Sequence, residues 1–279
     1  MFTDGNNNLE DTAFLWNCFR ESNITLSRDH FASLWVTDSV RATTRQHCDD
    51  TLPSEPFVHC LRHRLFLDLL SGFSTQHPQG VFVNLGAGFT NYPYLLPTPI
   101  ATCEVDQRFM GEYKQKKLQE LEDSGALPKR DITFIASDLA VPQAIQKLTA
   151  QLDQWIAGRP SFILMEGLLY YLPQPAVNTL FKGLGEIQKK GDTLAAMSFR
   201  PEESRKAAYR DLAIYFQRQF NNPNFQPTAL PRSFYENLPH YQLTAHYNYF
   251  ELAKHYTPDH DLGRSESVLE EDSYILLHK

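Results

Sequence analysis

The sequence predicts a doubly wound α/β fold, with a seven-stranded, mostly parallel sheet, a helical N-terminal segment and an inserted cap. Three observations carry this. Between residues 81 and 198 short β-rich runs alternate with helix-length segments, the pattern of βαβ units. The first run, Val81-Phe82-Val83-Asn84-Leu85, passes straight into Gly86-Ala87-Gly88, a buried strand ending in a glycine turn. Ahead of it, residues 9 to 75 place apolar side chains such as Phe14, Leu15, Cys18 and Phe19, then Leu61, Leu65, Phe66, Leu69 and Leu70, near helical spacing.

After the glycine turn the elements follow in order. Ile100 to Val105 is the second strand, and a helix from about Gln107 to Ser124 is stopped by Gly125. Ile132 to Ala136 is the third strand. The next helix starts near Pro142, sets Ala144, Ile145, Leu148, Leu152 and Ile156 on one face, and is broken by Gly158-Arg159-Pro160. Phe162 to Glu166 is the fourth strand. A helix opening near Pro173 and Pro175 closes by Gly191, and Thr193 to Ser198 is the fifth strand. Residues 200 to 240 interrupt the alternation with charge, aromatics, proline and one helical stretch around Glu202 to Phe220. Strands return at Tyr241 to His246 and Ser273 to His278, with a helical piece near Tyr249 to His255 between them. The expected division is a helical segment over 1–75, a cofactor-binding core over 76–199, the cap over 200–240 and C-terminal strands over 241–279, all one domain.

Composition narrows the function. A chain of 279 residues suits one large domain or a core with a cap, at roughly 100–200 residues per domain. The formal net charge is −7 with no long basic run, which argues against a nucleic-acid partner. Lys114, Lys116 and Lys117 read as the solvated side of a helix. Cys18, Cys48, Cys60 and Cys103 are scattered, without a CxxC pair or zinc spacing, and read as reduced thiols. No metal site is expected. The polar residues Met1 to Glu10 carry no secretion signal, and no apolar run approaches the roughly 20 residues of a membrane span, so a cytoplasmic location is expected.

In an open parallel sheet, ligands bind beyond the carboxyl ends of the strands where strand order reverses. Glycines there let the backbone approach a ligand, and an acid about 20 residues on can hold ribose hydroxyls. Asp106 fits that spacing. The dinucleotide fingerprint would need a third glycine at position 91, where the chain has Asn91; this counts against an NAD-dependent oxidoreductase.

At four places the chain resembles the leucine carboxyl methyltransferase family, which includes bacterial O-methyltransferases similar to those of tetracenomycin polyketide synthesis. The pieces are Asn84-Leu85-Gly86-Ala87-Gly88, Glu104-Val105-Asp106, Ser137-Asp138-Leu139 and Met165-Glu166-Gly167-Leu168-Leu169-Tyr170-Tyr171-Leu172-Pro173. The resemblance implies an S-adenosylmethionine-dependent methyltransferase. It implies that Gly86, Ala87 and Gly88 lie against the amino-acid end of the cofactor, that Asp106 binds its ribose, that Asp138 and Leu139 flank its adenine and that Glu166 touches its methionine part. Arg62-His63-Arg64-Leu65-Phe66-Leu67-Asp68 resembles the arginine-bearing helix of the family; Arg62 matches the arginine that binds the cofactor carboxylate, with Arg64 as the alternative. One departure stands out: where the family has L-D-T-R, this chain has Phe89-Thr90-Asn91-Tyr92.

Other readings of these residues remain open at this level. Asp106 could cap the following helix, and Asp138 a turn before Pro142. A carboxylate such as Glu166 at the end of an apolar strand must be bound to a ligand or tied to the backbone. His59 and His63, four apart on a helix, have no evident third ligand and read as exposed or supporting residues. Tyr92, Tyr170 and Tyr171 are pocket candidates, one of the last two facing the pocket and the other the core. No general-base dyad stands out, so the expected acceptor is an oxygen already anionic near neutral pH, a carboxylate or acidic phenol, on a small molecule or a peptide C-terminus. A non-catalytic S-adenosylmethionine-binding protein is the rival from another class.

Overall fold

The computed structural model describes residues 8–42, 44, 53–265 and 268–279. The strands β1 (Val81–Leu85), β2 (Ala101–Asp106), β3 (Ile132–Ala136), β4 (Ser161–Met165), β5 (Thr193–Phe199), β6 (Tyr241–Tyr247) and β7 (Glu271–His278) form one sheet in the order β3-β2-β1-β4-β5-β7-β6. The first five run parallel, and β7 is antiparallel to both its neighbours. The longer helices are α1 (Asn8–Ser22), α2 (Glu55–Gln76), α3 (Arg108–Asp123), α4 (Pro142–Ile156), α5 (Gln174–Ile187), α6 (Ala207–Gln219) and α7 (Tyr249–Tyr256).

β1 and β4 are buried at every position, as strands covered on both faces must be, so they read as continuous apolar runs. One face packs Val83, Leu85, Val105, Ile163 and Met165 against α4 and α5. The other packs Phe82, Phe162 and Leu164 against α2 and α7. Pro142 and Pro175 stand in the first turns of α4 and α5, where a missing N–H costs nothing.

Two expectations need correction. Lys114 is not solvated: it is buried, and its Nζ lies 2.7 Å from the buried Glu104 on β2, while Lys116 stays exposed. Helical spacing could not reveal the acid beneath it. The stretch Glu202 to Phe220 is not one helix, because Lys206 is extended and separates a 3-10 turn, Pro201–Arg205, from α6. Of the two readings of His59 and His63, burial of both rules out the exposed one and leaves the supporting one. Cys18, Cys60 and Cys103 are free and buried, burial pushing the Cys60 and Cys103 thiols up to about 12; Cys48 lies outside the described residues. Among the described residues no helix is long and apolar enough to cross a membrane.

Candidate active site

Strand order reverses between β1 and β4, which are neighbours in the sheet, and the segments following β1, β2, β3 and β4 leave on the same edge. They line a cavity of about 170 Å³. From β1 come Gly86, Ala87 and Gly88, from β2 Asp106, from β3 Asp138 and Leu139, and from β4 Glu166; Arg62 of α2 and Trp16 and Arg20 of α1 complete the wall. The cavity therefore gathers all eight residues expected at a cofactor.

The glycine turn is built to be tight. Gly86 has φ +68°, and a Cβ there would come within 2.9 Å of the Leu168 side chain, so any other residue at this position would be strained. The backbone N–H groups of Gly86 and Ala87 donate to the Val105 carbonyl, tying the turn to β2. Asp106 Oδ2 accepts from the Gly88 N–H at 2.7 Å and Oδ1 from the Gln107 N–H at 2.7 Å. The helix-capping residue of α3 is Gln107, so Asp106 orients the glycine turn and still faces the cavity. Burial raises its carboxyl above the ordinary value, and the Gly88 and Gln107 N–H groups oppose that. Asp138 is exposed and accepts from the Ala140 N–H at 2.9 Å, while Leu139 is buried.

At the other end, Arg62 is fully engaged. Its Nε donates to Glu166 Oε1 at 3.0 Å and its Nη1 to Glu271 Oε2 at 2.6 Å. Burial disfavours its charge, but Glu271, and after it Tyr249 and Glu166, outweigh this and hold its pKa above the ordinary value. Arg64 turns away from the cavity, pairs with Asp68 at 2.9 Å and lies over the Tyr256 ring. Tyr92 does not line the cavity, contrary to expectation: it is buried behind Glu166, donating its hydroxyl to Oε2 at 2.6 Å, because the helical turn Tyr92–Leu95 points it into the core. Tyr171 lines the cavity; Tyr170 is buried and lines a second, smaller one.

Three charged residues at the site were not anticipated. Glu271, the first residue of β7, reaches Arg62 because β7 runs antiparallel to β5 and so begins at the edge where the parallel strands end. Arg20 donates to Asp29 at 2.8 Å and to the Phe89 carbonyl at 3.3 Å, and Asn91 donates to the same Asp29. An arginine and an acid thus stand beside the 89–92 segment although that segment contains neither. Glu55 approaches His59 Nδ1 at 3.2 Å, an acid–histidine pair one helical turn apart; the spacing E-x-x-x-H was the available signal.

The chain is similar to known proteins in sequence and in fold. The family profile described as leucine carboxyl methyltransferase matches residues 16–185. The chain belongs to the leucine carboxyl methyltransferase family. The matched span contains every residue named above as lining the main cavity, whereas Glu271, the partner of Arg62, lies beyond it. Two relatives named "Putative S-adenosyl-L-methionine-dependent methyltransferase" come from Mycolicibacterium paratuberculosis and Mycobacteroides abscessus. The first is 30% identical over 50% of this chain and 48% of its own length, the second 27% over 75% and 72%. The chain spans about half the length of the first. Among solved structures, a "putative methyltransferase" from Thermobifida fusca superposes with a TM-score of 0.65 at 14% identity, covering 96% of this chain and 94% of that one. A duf574 family protein from Streptomyces avermitilis gives 0.61 at 12% identity, covering 96% and 97%. At that identity the likeness is one of fold, and the fold is the seven-stranded methyltransferase sheet.

Proposed function

We propose that the protein is an S-adenosylmethionine-dependent methyltransferase acting on an oxygen acceptor, a carboxylate or a phenol, carried by a small molecule or a peptide C-terminus. The observation that carries this is the convergence at one cavity of the glycine turn, Asp106 and the Arg62–Glu166 pair. The donor set fits the cofactor. Gly86, Ala87 and Gly88 give room for its amino-acid end, Arg62 supplies a cation for its carboxylate, and Glu166 an acceptor for its ammonium. Asp106 presents acceptor oxygens to ribose hydroxyls, and Leu139 an apolar surface to adenine beside Asp138. When bound, the cofactor supplies an electrophilic methyl group. The chain's residues align donor and acceptor and exclude water, since charge is neutralised along the reaction. Residues 1–75 and 200–240 act as the cap over the core at 76–199, within a single cytoplasmic domain.

Calorimetry with S-adenosylhomocysteine and NAD tests the assignment: the first binds and the second does not, and tighter NAD binding would overturn it in favour of an oxidoreductase. Asp106→Ala should weaken S-adenosylhomocysteine binding by about 1.5–3 kcal/mol, the scale of a hydrogen bond to a charged group. Unchanged affinity in a folded variant would confine Asp106 to its backbone contacts. Isotope transfer to any panel acid or phenol separates the enzyme from a non-catalytic binder.

A further inference from the structure

Beside the main cavity, and sharing Trp16 with it, lies a recess of about 30 Å³ walled by Phe19, Tyr170, Phe199 and Phe216 and containing Glu55, His59 and Glu271. His59 has 4% of its surface exposed. Its ring is stacked on Trp16 at 4.5 Å and meets the edge of Phe19 at 5.0 Å, so its orientation is fixed. Its Nδ1 lies 2.8 Å from the Glu55 backbone carbonyl. A carbonyl oxygen only accepts, so the hydrogen sits on Nδ1 and Nε2 carries a lone pair. That Nε2 is buried and has no hydrogen-bond partner, a costly arrangement unless a ligand supplies a donor.

Resting on the methyltransferase reading above, we propose that this recess receives the hydroxyl of a phenolic acceptor, and that His59 is the catalytic base that takes its proton. A volume of about 30 Å³ admits a hydroxyl but no ring, so the ring lies toward Trp16 and Tyr171 in the main cavity. A carboxylate acceptor suits the recess poorly, because Glu271 already faces it and the nearby cation, Arg62, besides holding Glu166 and Glu271, is the one assigned above to the cofactor carboxylate. In the transfer, the phenolic oxygen forms the new C–O bond as the methyl–sulfur bond breaks. The electron pair of that bond stays on sulfur, and the phenolic proton moves to Nε2, giving an imidazolium beside Glu55. Among the described residues, the charged and titratable groups that line the recess or act on the imidazole are Glu55 and Arg62 on its own helix, Arg20 on α1, Tyr170 after β4 and Glu271 on β7, the last held by Tyr249 of α7. Burial, with Arg62 and Arg20, lowers the His59 pKa and keeps the resting imidazole neutral, with the Glu55 carbonyl opposing that shift.

The test is single-turnover methyl transfer from S-adenosylmethionine by wild type and His59→Gln, with 4-methylphenol and with a dinitrophenol ionised at neutral pH. Glutamine can accept a hydrogen bond but cannot take the proton. The variant should lose about 100-fold or more with 4-methylphenol at pH 7, with the loss shrinking as pH rises, and under about threefold with the dinitrophenol. S-adenosylhomocysteine affinity, read by calorimetry, should not change; its loss would implicate the cofactor reading or the fold instead. Equal losses with both phenols, or none with either, overturn the base role. Transfer to carboxylates but to no phenol overturns the acceptor class and leaves the methyltransferase reading standing. Independently of activity, ¹⁵N-histidine spectra of the wild-type S-adenosylhomocysteine complex should show His59 Nε2 without hydrogen and moving toward the protonated value when 4-methylphenol is added. An Nε2 that already bears hydrogen, or ignores the phenol, overturns the proposal.

Discussion

Arg62 and Arg64 lie two residues apart on α2, yet the helix turns them about 200° apart, and their surroundings separate their roles. Removing Arg62 strips the cation from two buried carboxylates, Glu166 and Glu271, a loss on the scale of about 3–5 kcal/mol for breaking a buried pair. Arg64→Ala removes a partly exposed i,i+4 pair worth about 1 kcal/mol or less. S-adenosylhomocysteine affinity should therefore fall much further in folded Arg62→Ala than in Arg64→Ala. Lysine at 62 should rescue only part, because a point charge cannot serve both carboxylates in fork geometry. Equal affinities for the two alanine variants would remove Arg62 from the site. A second residue gives a pH prediction. Burial, with Glu271 adding to it, raises Glu55 to about 8 from an ordinary 4.5. Between those values the unfolded chain releases a proton that the fold retains, so Glu55 lowers stability as pH rises through that window and adds no further change outside it. Glu55→Gln carries no such proton, and the melting temperature of the variant relative to wild type should rise between about pH 5 and pH 8. A constant difference would show that Glu55 ionises normally. Glu166 and Asp106 could be placed from the sequence because each ends a strand in a known order. For Glu55 and His59 the spacing gave only their adjacency on one helix face and not their burial, since burial is a property of what packs over a helix.

Elements were legible where the hydrophobic period was clean. β1 and β3 have the bounds that their apolar runs give, β2 and β4 are each shifted by one residue, and β5 is one residue longer. β7 begins at Glu271, two residues before the expected Ser273, because Glu271 and Asp272 are carboxylates that no propensity assigns to a strand. They are tolerated there by Arg62, Tyr249 and His246, partners from three other elements. The direction of β7 also decides where those acids fall, and alternation alone does not report direction. The same limit hid the buried pair that clips α3 to β2. Lys114 and Glu104 each resist charging in isolation, burial lowering the first and raising the second, and each favours the charged form of the other. Lys114→Met leaves Glu104 alone beneath α3 and should destabilise the protein by about 3–5 kcal/mol, whereas the double variant with Glu104→Leu should recover much of that. Denaturant titrations of the four proteins in the cycle check it; additive losses would show that the pair is uncoupled.

At the scale of the molecule, the cavity joins parts far apart in sequence. Ala13, Trp16 and Arg20 on α1 face Gly86, Asp106 and Glu166 across it. A ligand there should bridge α1 to the sheet, raising the melting temperature as though about 2.7 kcal/mol were added at 100 times the dissociation constant. Hydrogen exchange should slow in α1 as well as in the glycine turn when S-adenosylhomocysteine is added; protection limited to the turn would place α1 outside the binding unit. The position of β7 has one more consequence, in the order of synthesis. At about 5–20 residues per second, β7 is the last of the seven strands to leave the ribosome, although it belongs between β5 and β6 in the finished sheet. Until it arrives, β6 has no neighbour to pair with and Arg62 has only Glu166 to neutralise it. A nascent chain carrying the whole glycine turn and every expected cofactor contact must therefore wait for β7 before Arg62 is balanced, which ties completion of the site to the emergence of that strand.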